Sequence, residues 1–203
     1  MSTAFYVSYA ALWVLVIVQG MLLLLVYRHF GMMTLGTMEG VQRDGLGIGD
    51  TAPSIYGASS DGSETVWESR GDRPALVVFA ATDCEPCSVV MPVVDRVARA
   101  RSGSLRVLTV VPGPADSVQS AVAQYGLSSD CLGEDGSGVF DAYRVRVTPF
   151  AFVIGEDGVV RAKGLCSDPL MLRDLLAAGG LDEVSAQVDA TVLPTARPVK
   201  DSF

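Results

Sequence analysis

Pro74-Ala-Leu-Val-Val-Phe-Ala-Ala81, then Thr82-Asp83-Cys84-Glu85-Pro86-Cys87, then an apolar pattern through Ala98 make up the stretch that decides the fold. The first run is unbroken and of strand length, which predicts a central strand buried on both faces. From Cys87 to Arg101 the apolar residues fall at Val89, Val90, Val93, Val94, Val97 and Ala98. That is helical spacing, with Pro92 inside it as a kink. The cysteine pair therefore opens a helix that follows a buried strand. Unpaired backbone N–H groups and the helix dipole at such a terminus favour a thiolate. Pro86 can occupy the first turn without loss of a hydrogen bond, and it keeps the two sulfurs within reach of a short disulfide loop. On this reading Cys84 is the attacking thiol and Cys87, one turn in, resolves. The carboxylates of Asp83 and Glu85 oppose ionisation of Cys84 while the helix terminus promotes it.

Outward from this core the chain alternates strands and helices. Ser54–Tyr56 and Thr65–Trp67 flank Ser60-Asp61-Gly62, a hairpin signal. Leu105–Val111 reads as a second buried strand, Ala115–Tyr125 as a helix, Asp130–Leu132 as a short strand and Gly138–Tyr143 as a helical turn. Phe150–Ile154 and Val159–Lys163, joined by Gly155-Glu156-Asp157-Gly158, predict a hairpin, and Asp168 caps a last helix through Ala178. The expected architecture is α/β, a mixed sheet covered by helices on both faces.

The expected organisation has four parts. Residues 4–27 carry no charge, and at the helical rise they span about 36 Å, more than a hydrocarbon core of about 30 Å. They are expected to form a transmembrane anchor, with Tyr6, Tyr9 and Trp13 near one end and Tyr27 at the other as an aromatic belt. A cleaved signal peptide would need a basic leading segment and a small-residue cleavage site, which are not found. Glycine-rich residues 28–46 read as a flexible linker, 47–178 as the folded domain and 179–203 as a loose tail. Arg28 and His29 after the span weakly favour a cytoplasmic C-terminal side. The sulfur chemistry argues for the opposite side.

Composition removes several functions. Fifteen basic against 23 acidic side chains give a net charge of −8, so nucleic acid is not expected as a partner. The single histidine, His29, lies beside the apolar run, which removes Ser-His-Asp and Cys-His pairings and imidazole metal sites from the domain. Cys131 and Cys166 stand far apart, so a structural zinc site lacks its second close pair. No metal and no cofactor are expected. Cys131 and Cys166 read as buried small hydrophobes, with a second disulfide between them left open.

With these residues in place the chain resembles the thioredoxin superfamily, specifically its membrane-anchored TlpA/ResA-like branch. The resemblance rests on C-x-x-C followed five residues later by Pro92, on Val147-Thr148-Pro149 before a strand, and on the Gly155–Val160 hairpin. Gly47-Ile-Gly-Asp-Thr-Ala-Pro53 is similar to the opening of redoxin (AhpC/TSA-type) domains, and Leu12-Trp13 with Arg28-His29-Phe30-Gly31 to the start of MauD-type proteins of methylamine utilisation. The resemblance implies a thioredoxin-like fold and thiol-disulfide exchange with exported client proteins, with a membrane electron donor as a further partner. It also implies a cis-proline at Pro149 that, with Thr148, binds client against the disulfide. The chain departs from the family at Asp83, where a tryptophan is usual. It also departs in the apolar Leu76–Phe79 strand, where many thioredoxins bury an acid; Asp116 is the nearest substitute.

The alternatives are a peroxiredoxin-type thiol peroxidase, for which Thr82-Asp83-Cys84 has the wrong spacing, and a non-catalytic redox-responsive binding protein with the same fold.

Overall fold

The computed structural model describes residues 5–9, 11–23, 44–136 and 138–192. Two compact units divide the chain, 1–43 and 44–203. In the first, α1 (Phe5–Leu23) is 19 residues long with a mean hydropathy of 1.9 and exposed side chains throughout its described length. It fits a membrane anchor in length and composition. Residues 24–27 of the expected span and 28–43 of the expected linker lie outside the described residues.

The second unit contains β1 (Ile55–Ala58), β2 (Glu64–Trp67), β3 (Ala75–Phe79), α2 (Glu85–Ala100), β4 (Arg106–Pro112), α3 (Ala115–Tyr125), β5 (Asp130–Glu134), α4 (Val139–Ala142), β6 (Phe150–Ile154), β7 (Val160–Leu165), α5 (Pro169–Ala178) and α6 (Asp182–Val192). One seven-stranded sheet runs in the order β2-β1-β5-β4-β3-β6-β7. This is the mixed α/β sheet that the strand–helix alternation predicts, in the thioredoxin-like arrangement that the resemblance implies. β3, β4 and β5 are parallel, β6 is antiparallel to β3, and β7 is antiparallel to β6. The C-terminal ends of β3, β4, β5 and β7 therefore meet the N-terminal end of β6 at one end of the sheet.

β3 is buried at every position, because both of its faces are covered. On one face Leu76, Val78, Val107, Val111, Ala151 and Val153 form a core with Val90, Met91, Val94 and Val97 of α2, Val118 of α3 and Leu172 and Leu176 of α5. Pro92 faces solvent, so α2 accommodates it on its outer side. On the other face Phe79, Phe150 and Phe152 of the sheet pack with rings from α4 and the turn after it. Phe79 meets Phe140 at 5.0 Å, Tyr143 at 5.1 Å and Phe152 at 5.9 Å between ring centroids. Phe150 and Phe152 also wall in Gly45, where an added Cβ would lie 2.9 Å from each ring.

Two expected boundaries change. Asp44, Gly45 and Leu46, expected in the linker, belong to the folded unit. Gly45 donates its N–H to Arg144 O (2.9 Å), Lys163 Nζ donates to Asp44 O (2.8 Å), and Leu46 is buried. The expected loose tail from 179 instead forms α6 as far as Val192, because Val184 and Val188, one turn apart, bury against the core. Residues 193–203 lie outside the described residues.

Candidate active site

Cys84 sits at the N-cap of α2, in extended backbone, and its Sγ accepts a hydrogen bond from Cys87 N–H at 3.2 Å. Glu85 and Pro86 fill the first turn, so the proline removes only an N–H that the helix would leave unpaired anyway. Cys84 and Cys87 are joined in a disulfide with Cα atoms 5.2 Å apart. Burial separates the two sulfurs: Cys87 is fully buried in the helix-covered core and Cys84 is only half-buried. This asymmetry follows from the helix start, where the first cysteine stands at the mouth and the second, one turn in, points to the core. Asp83, Glu85 and Pro86 are all exposed around the half-buried sulfur.

The register brings the second expected element to the same end of the sheet. Phe79 pairs with Phe150, so the chain leaving β3 toward Cys84 and the chain entering β6 through Thr148-Pro149 emerge side by side. The Thr148–Pro149 peptide is cis, Pro149 is buried and Thr148 half-buried. Pro149 O accepts the N–H of Cys166 at 3.2 Å, which ties this loop to the end of β7.

The remaining cysteines do not join the site. Cys131 on β5 and Cys166 after β7 are both free and buried, so the second disulfide left open in the sequence is not formed. Burial pushes both thiols up to about 12, with the Asp168 carboxylate adding to the effect at Cys166. Neither provides a thiolate near neutral pH. Among the described residues no cluster of His, Cys, Asp or Glu could hold a metal ion. Asp116 lies exposed in the first turn of α3. Asp95 is the buried carboxylate: it pairs with Arg99 at 2.8 Å and accepts from Ser128 N–H (2.6 Å) and Oγ (2.8 Å). It lies more than two turns along α2 from Cys84, where it ties the helix to the α3–β5 loop.

Sequence reasoning missed Gln124 and Tyr125. Gln124 Nε2 donates to Thr82 O at 3.0 Å and the Tyr125 phenol donates to Ala81 O. Both carbonyls belong to the loop that carries Cys84. The only signal in the sequence was a tyrosine on the buried stripe of a helix, where a phenylalanine would pack equally well.

The family model described as "AhpC/TSA family" matches residues 48–163. Methylamine utilization protein MauD of Methylorubrum extorquens is 29% identical over 178 residues, 84% of each chain. Among solved structures, a secreted Mycobacterium tuberculosis disulfide oxidoreductase homologous to Escherichia coli DsbE covers 67% of this chain and 95% of its own at 20% identity, with a TM-score of 0.51. A thiol:disulfide interchange protein from Bacteroides sp. covers 68% of this chain and 94% of its own at 19% identity, with a TM-score of 0.57. At such identities the two structures are alike in fold.

Proposed function

This chain belongs to the AhpC/TSA family, and from that premise we propose that it is a thiol-disulfide oxidoreductase whose Cys84–Cys87 pair exchanges electrons with cysteines of client proteins outside the cytoplasm. The observation that carries the reading is the burial asymmetry of the pair at the start of α2, with one sulfur open to a partner and the other enclosed. In the reduced state the Cys84 thiolate attacks one sulfur of a client disulfide. The client S–S bond breaks, one client cysteine leaves as a thiolate, and a mixed disulfide forms. The Cys87 thiolate then attacks Cys84 Sγ, which releases the second client sulfur and closes the Cys84–Cys87 disulfide. Two electrons pass to the client, and the two protons lost by the pair balance those taken up by the client thiols. A dithiol donor of the membrane restores the pair by the same steps, and the reverse sequence oxidises a client dithiol.

Thr148 and Pro149 form the client-facing surface next to Cys84, supported by their emergence beside it at one end of the sheet. Asp83, Glu85 and Pro86 modulate the pair: the carboxylates raise the cost of a Cys84 thiolate and the helix terminus lowers it. The apolar α1 anchors the domain, which supports the assignment of its clients to exported proteins.

The test is turnover of a protein disulfide in the presence of a dithiol donor, with hydrogen peroxide as the competing substrate. Multiple turnovers of the disulfide, lost in Cys84→Ala, are expected. Turnover of peroxide alone would replace this reading with a thiol peroxidase, and stoichiometric reaction without turnover would replace it with a redox-responsive binding protein.

A further inference from the structure

β3 ends at Phe79 and α2 begins at Glu85, so the loop Ala80–Cys84 that presents the half-buried sulfur belongs to neither element. Its backbone is held from three directions. Ala80 N–H donates to Val110 O at 2.9 Å, continuing the sheet. Ala81 O accepts the N–H of Cys84 at 3.3 Å and also the phenol of Tyr125. Thr82 O accepts Gln124 Nε2 at 3.0 Å. The two side-chain donors are consecutive residues in the last turn of α3, 42 and 44 positions along the chain from their acceptors.

Packing alone does not explain this. Tyr125 is 4% exposed within the helix-covered core, where a phenylalanine ring would fill the same volume without the need to satisfy a buried hydroxyl. The hydroxyl instead reaches the one carbonyl that is also bonded to the N–H of Cys84. Burial, and then the nearby Asp83 carboxylate, raise the phenol above its ordinary value, so it stays a protonated donor through the neutral range.

We propose that Tyr125, with Gln124 beside it, is a positioning residue for Cys84: the pair fixes the Ala81 and Thr82 carbonyls and neutralises their negative ends next to the attacking sulfur. The inference rests on the reading of Cys84 as the attacking thiol. A peptide unit carries a dipole of about 3.5 D. Each donor sets a bond dipole with its positive end against that carbonyl, and at an effective dielectric constant of about 20 the loss of such a dipole beside a thiolate makes the thiolate roughly two- to threefold less populated below its midpoint.

The test needs no client. Reduced wild type, Tyr125→Phe, Gln124→Leu and Val122→Ala are treated with iodoacetamide across pH 5–10, and modification of each cysteine is followed by mass spectrometry. Asp83, Glu85 and the α2 terminus are common to all four. Val122, half-buried on α3 and packed against the same core, serves as the destabilised control, since its side chain has no donor for the loop carbonyls. Tyr125→Phe and Gln124→Leu should each shift the Cys84 midpoint to higher pH, with a two- to threefold fall in alkylation rate at pH 7, and Val122→Ala should shift it by nothing measurable. Gln124 is exposed, so its variant reads out the clamp even if the tyrosine variant folds poorly. Equal midpoints in wild type and both clamp variants overturn the positioning role while leaving the exchange reading intact. Preferential alkylation of a cysteine other than Cys84 in the wild type overturns the assignment of Cys84 as the attacking thiol, on which the inference rests.

Discussion

Reduction of the Cys84–Cys87 disulfide leaves four thiols in one small domain, and the structure ranks how they should react. Cys131 and Cys166 are buried and their thiols are pushed up to about 12 from an ordinary value of 9.0. At pH 8 a thiol of the ordinary kind is about one-tenth thiolate, whereas one at about 12 is about one part in ten thousand, so the two buried cysteines hold about a thousandfold less nucleophile. Enclosure of both sulfurs slows them further, since the reagent must wait for a local opening. Cys84 is half-buried at a helix N-terminus, where the reagent can reach its sulfur. The protein is reduced with dithiothreitol, freed of it anaerobically, treated with iodoacetamide at pH 8 and sampled over minutes to hours. Peptide mass spectrometry should show Cys84 modified first, with Cys131 and Cys166 at least about a hundredfold slower and reactive only after addition of denaturant. Modification of Cys131 or Cys166 in the folded protein at a rate near that of Cys84 would refute the assignment of these two as enclosed packing residues.

Further outcomes follow from the same structure. Because the folded state holds the Cys131 and Cys166 protons more tightly than the unfolded chain, their contribution to stability is complete below about pH 9 and is lost as pH rises toward 12. The loss is about 1.4 kcal/mol per pH unit for each thiol. Chemical denaturation at pH 8 and pH 10.5 should therefore show a smaller drop for a C131A/C166A variant than for wild type. Asp95→Ala removes a buried carboxylate with three partners and should destabilise the domain by about 2–3 kcal/mol, measured by urea unfolding. Asp168 caps α5 through the N–H groups of Leu170 (2.8 Å) and Met171 (2.9 Å), and Asp168→Ala should cost about 1 kcal/mol in the same assay. Alkaline phosphatase fused after Phe203 should be active if the domain is extracytoplasmic; a well-expressed inactive fusion would place it in the cytoplasm.

Much of this fold is legible in one dimension because its signals are local. The β3 run is apolar without interruption, α3 and β6 carry clear periods, and Asp168 precedes its helix as a cap should. After the Gly-Gly pair the larger apolar residues Leu181, Val184, Val188 and Val192 are interspersed with acidic and small polar residues, a pattern too weak to distinguish α6 from a tail without the core that Val184 and Val188 pack against. Asp44–Leu46 were hidden in a glycine-rich stretch, since the need for a glycine against the Phe150 and Phe152 rings appears only when β6 is in place. Of the candidate site, the cysteine pair and Thr148-Pro149 were visible as motifs. Tyr125 and Gln124 were not, because they meet carbonyls 44 and 42 positions back along the chain and no short motif encodes that contact. The buried acid could not be placed from sequence either, since only the α2–α3 packing shows that Asp95 serves Ser128 and Arg99 rather than the sulfurs.

The central claim is that Cys84 attacks and Cys87 resolves. Cys87→Ala and Cys84→Ala variants, expressed as the full chain with α1 and quenched in acid to freeze thiol exchange, can be resolved on non-reducing gels against reduced controls. The account predicts mixed disulfides with client proteins that link through Cys84 in Cys87→Ala and are missing in Cys84→Ala. Trapped complexes of equal yield through Cys87 in the Cys84→Ala variant would contradict it.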